Sequence, residues 1–388
     1  MVTRVLATSI AREVTGAEHS LLNLAPALAA HDVTVILAAP GGTALEKAWC
    51  DKGLEFVAVD FPERGGFRDS TGTRVNAVTD LLRLPVSTLL AIMRVAAAAR
   101  RVEADVIHSN CILTHFDCAF AALSSRRKAV LELHEIVAPG IGRVALGFAA
   151  VLAARALAIS TAVADQLPRW ARGKATVIPQ GIELERFGPH GPDDRWRDRL
   201  SANPAAPLVI AVGRTDPEKA LHITIRAVAA VRAAGVDAQL AVIGGPGKDD
   251  GTYLAELTDL AAELLPGAFH HEPPVPDVAP IMRSADVLVS TSTEEPFGLA
   301  ILEAQACGLP VVSSASGGPL DFITDGETGL LVPVGDPDAT ARAIERLLTE
   351  PELATRIVAG AQTALVGSFT AAVRAQRVSE LYTKVVST

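Results

Sequence analysis

Apolar residues recur along this chain in two alternating registers. Val5 to Thr8 is a short run suited to a strand buried on both faces, and Ser9 to Glu18 is a polar stretch carrying Gly16. Ser20 to Ala30 then places its apolar residues on a helical period, and Val33 to Ala38 reads as the next strand, completing a β-α-β unit. Further strands are predicted at Glu55 to Val59, Asp105 to His108, Ala129 to Leu133, Ala156 to Ile159 and Thr176 to Ile178. A second alternating set follows at Leu208 to Val212, Ala238 to Ile243, Ala268 to His270, Val287 to Ser290, Val311 to Ser313 and Gly329 to Val332. Between the sets, the segment from Gly188 through Pro192 to Pro207 is rich in Pro and Asp and holds one short helix around Trp196, so the interdomain linker is placed there. The pattern predicts an α/β protein of two doubly wound Rossmann-like domains with an interdomain cleft at the carboxyl ends of their strands, where such folds bind ligands.

Length and composition agree with that count. A chain of 388 residues exceeds one ordinary domain, and 49% hydrophobic with only 4% aromatic content calls for cores of Ala, Val, Leu and Ile, as in helix-covered parallel sheets. The net charge of −9 is uneven: residues 1–190 hold 20 basic against 18 acidic side chains, and the remainder 15 against 26. An acidic C-terminal half without a basic, aromatic-studded stripe argues against nucleic acid as a partner. Cysteines at 50, 111, 118 and 307 lack paired metal-site spacing and the density of a disulfide scaffold, and read as buried thiols in a reducing compartment. The first residues form a strand rather than a secretion signal, so the expected location is cytoplasmic. The apolar runs Leu84 to Ala99 and Val144 to Ala154 are too short or interrupted to span a bilayer and read as packed helices. The second begins beside Arg143 and carries Phe148, which leaves a peripheral contact with a membrane open.

The densest chemistry lies between Ser290 and Ser313. Val287 to Ser290 ends a strand, Pro296 suits a first helical turn, and Gly308 with Pro310 stops the helix. Glu295 precedes that helix and Glu303 sits inside it, roughly 12 Å further along its axis at about 1.5 Å per residue. That is near the length of a nucleotide sugar. The N–H groups of Phe297, Gly298 and Leu299 are expected as first-turn donors at the positive end of the helix dipole, a seat for phosphate or sugar hydroxyls. Carboxylates at both ends can accept hydrogen bonds from vicinal hydroxyls.

Glu-Pro-Phe-Gly-Leu leading into Glu-Ala-x-Ala-x-Gly-x-Pro-Val-Val resembles the signature of the retaining glycosyltransferases of family 4, which have the two-domain GT-B fold. The resemblance is strong over residues 208–335 and weaker in the first half. It implies an N-terminal acceptor-binding domain over 1–190, onto which a last helix at about 370–388 packs back, and a nucleotide-sugar-binding domain over 191–369. Gly213-Arg214 through Lys219 resembles the family's diphosphate loop; a guanidinium and an ammonium five residues apart at a strand's carboxyl end can stabilise a departing diphosphate. Thr15-Gly16-Ala-Glu18 stands where the family has two glycines, with Gly16 left to let backbone approach the donor. His134-Glu135 resembles the family's His-Asp pair, whose His faces the donor sugar, which implies a catalytic or sugar-contacting role for His134. Gln180 replaces a common Asn, and Ser316-Gly317-Gly318-Pro-Leu-Asp321 resembles a loop near the donor. Gly244, in a Gly-rich turn that does not match a dinucleotide fingerprint, borders the nucleotide. Asp336-Pro-Asp338 formally matches a metal-binding DxD but reads better as a helix start.

The expectation is therefore a metal-independent, cofactor-free hexosyltransferase using a UDP- or GDP-linked sugar. Arg214 and Lys219 would bind the diphosphate, Glu303 the ribose, and Glu295 with Phe297 to Leu299 the hexose, with His134 facing the sugar. The acceptor is left as a lipid-linked or cell-envelope glycan, a polyol phosphate or an antibiotic aglycone. The alternative is a nucleotide-sugar epimerase on the same architecture, which needs no acceptor.

Overall fold

The computed structural model describes residues 2–62, 77–191, 194–247 and 251–388. Pro192, part of the segment expected to link the domains, lies outside them. The chain forms two compact units, Met1–Gly181 with Ala371–Thr388, and Ile182–Thr370.

The first unit is built on a seven-stranded parallel sheet. Its strands are β1 (Thr3–Thr8), β2 (Val33–Ala39), β3 (Phe56–Ala58), β4 (Val106–Ser109), β5 (Lys128–Leu133), β6 (Arg155–Ala158) and β7 (Ala175–Val177), in spatial order β3-β2-β1-β4-β5-β6-β7. Every pair is parallel, with Val5 level with Val35 on one side and Val106 on the other. The connecting helices are α1 (Gly16–Ala29), α2 (Ala44–Asp51), α3 (Ala77–Arg101), α4 (His115–Ser125), α5 (Ile141–Leu152) and α6 (Thr161–Asp165). Strand order reverses at β1, so right-handed crossovers put α1 and α2 on one face of the sheet and α3 to α5 on the other.

The second unit holds a six-stranded parallel sheet in the order β10-β9-β8-β11-β12-β13. These strands are β8 (Leu208–Val212), β9 (Gln239–Ile243), β10 (Phe269–Glu272), β11 (Val287–Ser290), β12 (Val311–Ser314) and β13 (Leu330–Val332). Its helices are α7 (Leu184–Phe187), α8 (Asp194–Leu200), α9 (Leu221–Ala233), α10 (Thr252–Leu264), α11 (Ala279–Ser284), α12 (Leu299–Ala306), α13 (Pro337–Thr349) and α14 (Pro351–Ser368). The final helix, α15 (Ala371–Val386), belongs to the first unit, where Val378, Leu381, Tyr382 and Val385 join a core with α1 and the inner strands. All thirteen strands fall where the apolar runs place them, within a residue or two at the ends.

Four details differ from the sequence expectation or sharpen it. Residues 188–207 lie inside the second unit, where α8 is held by Arg197 on Asp286 at 2.7 Å and Arg199 on Glu272 at 2.5 Å. Helix α12 starts at Leu299 rather than at Pro296, because Gly298 sits at φ +92° and the residues before it form bends. Asp336 caps α13, accepting the Ala339 N–H at 2.8 Å. Cys118 and Cys307 are buried, but Cys50 is exposed and Cys111 half-buried. No helix among the described residues is long and apolar enough to cross a membrane.

Candidate functional site

In the second unit, four loops at the carboxyl ends of β8, β9, β11 and β12 interlock through glycines. A Cβ on Gly244 (φ +155°) would lie 1.8 Å from the Gly213 carbonyl oxygen, and one on Gly317 (φ +68°) would lie 2.0 Å from that of Glu295. A Cβ on Gly318 would lie 2.4 Å from the Phe297 Cα, and the Gly318 N–H donates to the Glu295 carbonyl at 2.8 Å. Backbone therefore packs on backbone, and side chains project outward from a fixed rim.

Two ion pairs occupy that rim. The Lys219 ammonium lies 2.6 Å from Glu295 Oε2, which also accepts from the Ser292 hydroxyl at 2.9 Å. Arg214 Nη2 lies 2.9 Å from Asp216 Oδ2. The expected diphosphate clamp thus exists as two cations each already facing a carboxylate. Glu295 itself is buried, so its carboxylate is anchored by Lys219 and Ser292 rather than solvated.

The shifted start of α12 changes which amides point from its first turn. Phe297 is buried ahead of the helix against Phe322, ring centroids 5.5 Å apart, while Leu299 and Ala300 carry N–H groups outside the helical ladder. Gly298 is the N-cap between them. Further along α12, Glu303 is half-buried near the Arg186–Asp277 ion pair, whose contact is 3.0 Å. Burial pushes its pKa up to about 8; the Arg186 guanidinium opposes that rise and Asp277 adds to it. A carboxyl in this state offers both a donor and an acceptor to a ligand.

In the first unit, His134 follows β5 and lines an open cavity of about 150 Å³ together with Thr15, Glu18, Asn110, Ile112, Glu135 and Leu146, among others. Its Nε2 lies 3.0 Å from Asn110 Oδ1 and its Nδ1 3.4 Å from Gln180 Nε2. With an amide NH₂ facing Nδ1, the proton sits on Nε2 and donates to Asn110. Desolvation lowers the His134 pKa, Glu132 opposing and Arg374 reinforcing, so the ring is neutral.

Gly16 opens α1 with no neighbour within 4 Å of a Cβ built on it and no positive φ, so its backbone does not demand glycine. Thr15 spans the turn by donating its hydroxyl to Glu18, which also accepts from Ser9 at 2.9 Å.

Beneath His134 lies a buried polar network that the sequence reading missed. Glu132, on β5, accepts from Arg374 of α15 and lies 2.9 Å from His108 Nε2. His108 Nδ1 is 2.9 Å from the Tyr382 hydroxyl, and the Arg374 guanidinium also donates to Ser20 and to the Gln180 carbonyl oxygen. Burial alone would raise the Glu132 pKa, but Arg374, with lesser help from the histidines, holds it well below the usual carboxylate range. Burial pushes the Tyr382 hydroxyl up, so it stays a neutral donor to His108. One signal was available in the sequence, an acidic residue inside the apolar run Val130-Leu131-Glu132-Leu133, since an unpaired carboxylate is almost never buried.

Comparison with known proteins follows the same division. The family model described as Glycosyl transferases group 1 matches residues 192–364, and that described as Glycosyltransferase Family 4 matches residues 14–186. A D-inositol 3-phosphate glycosyltransferase of Stackebrandtia nassauensis is 37% identical over 201 residues, 48% of this chain and 44% of the relative. The lipopolysaccharide core biosynthesis glycosyltransferase LpsE of Rhizobium meliloti is 38% identical over 174 residues, 45% of this chain and 48% of that one. The chain thus spans about half the length of the curated relatives it matches. The crystal structure of Anabaena HepE in complex with UDP and glucose superposes with a TM-score of 0.82 at 21% identity, covering 98% of this chain and 100% of that one, a likeness of fold. With one model on each unit and the interlocked, glycine-built loops between Gly213 and Gly318, the chain belongs to the group 1, family 4 glycosyltransferases of GT-B fold.

Proposed function

We propose that this chain is a retaining, metal-independent glycosyltransferase that moves a hexose from a nucleoside-diphosphate sugar, UDP- or GDP-linked, to an acceptor hydroxyl. The observation that carries the reading is the rim of the second unit, where Arg214, Lys219, Glu295 and the first turn of α12 are fixed on backbone-packed loops. Preorganised charges of this kind are what a departing diphosphate requires, since they need not reorganise as its charge grows. On this reading the diphosphate takes over Arg214 and Lys219 from their carboxylates. Glu295 and the Leu299 and Ala300 amides hold the hexose, and Glu303 holds the ribose hydroxyls. His134 is neutral, and on this reading its Nε2–H passes from Asn110 to the sugar as a hydrogen-bond donor rather than an acid or base. The cavity above His134 receives the acceptor. The UDP and glucose bound by HepE make UDP-glucose the first donor to try.

The test is product formation from a panel of UDP- and GDP-sugars, with and without candidate acceptors, in EDTA. Transfer should survive the chelator and need acceptor, and Arg214→Ala should lower turnover on the order of a hundredfold, the cost of removing one preorganised donor. Sugar interconversion without acceptor would establish an epimerase instead. Activity abolished by EDTA and restored by manganese, with Arg214→Ala near wild type, would overturn the proposal.

A further inference from the structure

Large hydrophobic side chains are exposed unevenly on this protein. Of the eighteen among the described residues, twelve lie on α3, α4, α5 and the Trp170 turn, three helices packed side by side on one face of the first sheet. Each helix contributes an outward stripe at helical spacing, led by Leu89 and Met93 on α3, Phe120 and Leu123 on α4, and Val144 and Phe148 on α5. Ile141 opens α5 at 83% exposure, and Phe148 stacks beside Trp170 with ring centroids 4.9 Å apart. Scattered exposed apolar residues need no explanation, but a run across three adjacent helices does.

Charge tells what covers it. Residues 86–101, 112–127, 139–152 and 168–173, which carry α3, α4, α5 and the Trp170 turn, contain eight Arg against one Asp and no Glu, in a chain of net charge −9. That Asp, Asp117, is buried, and two further acids border the face, Asp60 at 3.2 Å from Arg94 and Asp165 at 3.8 Å from Arg172. Arg126, Arg169 and Arg172 are exposed, Arg94 is half-buried against Asp60, and Arg143 is half-buried with its Nε donating to the Val137 carbonyl. A second copy of the chain pressed on this face would set arginine against arginine. Long cationic side chains around an apolar centre suit acyl chains below and lipid phosphates at the rim.

We infer that the outer face of α3, α4 and α5 docks on the surface of an anionic lipid bilayer, without crossing it. The inference is independent of the transferase reading, because it uses none of the residues assigned to donor or sugar. Where both hold, the acceptor would be drawn from the lipid surface.

The experiment is co-sedimentation of the full chain with vesicles of phosphatidylglycerol and phosphatidylcholine, against phosphatidylcholine alone, over a salt series. Wild type should bind the anionic vesicles at least tenfold more tightly, and added salt should weaken it. Leu123→Asp with Phe148→Asp should abolish binding, Arg126→Glu with Arg169→Glu should erase the preference for anionic lipid, and Val366→Asp in the second unit should change nothing. All three should keep the wild-type thermal transition; if an apolar-face variant does not, Phe148→Ser alone is read, with a reduction of several-fold expected. Failure of wild type to sediment with anionic vesicles, binding unaffected by the apolar-face variants, or a dimer by light scattering that those variants dissociate would each overturn it.

Discussion

Replacing Arg374 with methionine keeps a long side chain in the space of the guanidinium stem and removes the one permanent positive charge beside Glu132. Glu132 is 1% exposed, so it cannot turn to water for compensation. It must take up a proton, or draw one onto His108 or His134. Protonating a carboxyl of ordinary pKa 4.5 at pH 7 costs about 3.4 kcal/mol at roughly 1.36 kcal/mol per unit, which caps the charge part of the loss. That agrees with the ~3–5 kcal/mol seen when one member of a buried pair is removed. In a unit of this size the midpoint should fall by on the order of 10 °C, at about 2–4 °C per kcal/mol. Either outlet binds a proton, so the gap to wild type should narrow as pH falls, by up to about 1.4 kcal/mol per unit. Glu132→Gln combined with Arg374→Met should recover most of the loss, since neither charge then remains buried. Scanning calorimetry of the full chain at pH 7.5 and 5.5 decides it: a single variant within 2 °C of wild type, or a deficit that ignores pH and survives in the double variant, would refute the argument.

Glu303 has its pKa raised to about 8 in the free protein, and ribose hydroxyls prefer the ionised carboxylate, so nucleotide binding at pH 7 should release a proton. Titration calorimetry in buffers of different ionisation enthalpy should show that release, affinity should rise as pH climbs toward 8, and Glu303→Gln should abolish both effects. Gly317→Ala puts a methyl 2.0 Å from the Glu295 carbonyl oxygen, at φ +68°, so it should cost about 1–3 kcal/mol of strain and weaken donor binding while leaving the first unit's transition unmoved; a differential scan with UDP in which the variant gains as much stabilisation as wild type, or in which the first unit's transition shifts, would contradict it. The His115 pKa is lowered to about 3, chiefly by burial, and that of His134 is lowered too, against an ordinary value of 6.5. Below pH 6.5 the unfolded chain therefore takes up protons that the folded first unit refuses, so that unit's stability should be level from pH 6.5 to 8 and fall steadily towards pH 3, whereas Glu303 in the second unit acts in the opposite sense between pH 4.5 and 8. Denaturant midpoints of the first unit from pH 6.5 down to 3, flat throughout, would contradict it.

The strands were legible because most are short apolar runs, β10 with its Phe269-His-His-Glu272 being the polar exception, and the parallel order followed from alternation with helices. The rim of the second unit was legible in part. Its loops announce themselves by Gly213, Gly244, Gly298 and Gly317, but α12 starts two residues after Phe297 because Gly298 takes a left-handed conformation, and no propensity of Pro296 reveals that. The pairing of Lys219 with Glu295 joins residues 76 apart, and that of Glu132 with Arg374 spans 242. A single sequence offers a buried charge as a question; only the fold supplies its answer. Cys50 was misread for a related reason, since α2 is amphipathic and Leu45 and Trp49, not Cys50, face its core.

The place of α15 has a consequence for how the chain is made. A ribosome delivers β1 to β7 first and α15 last, with the whole second unit emerging in between. Until Arg374, Val378 and Tyr382 arrive, the nascent first unit carries an unanswered carboxylate at Glu132 and a bare apolar strip along α1. Residues 182–370 contain every strand of their own sheet and can close while still tethered to that unfinished neighbour. Vectorial synthesis should therefore invert the order of completion: the unit translated second can close before the unit translated first receives α15.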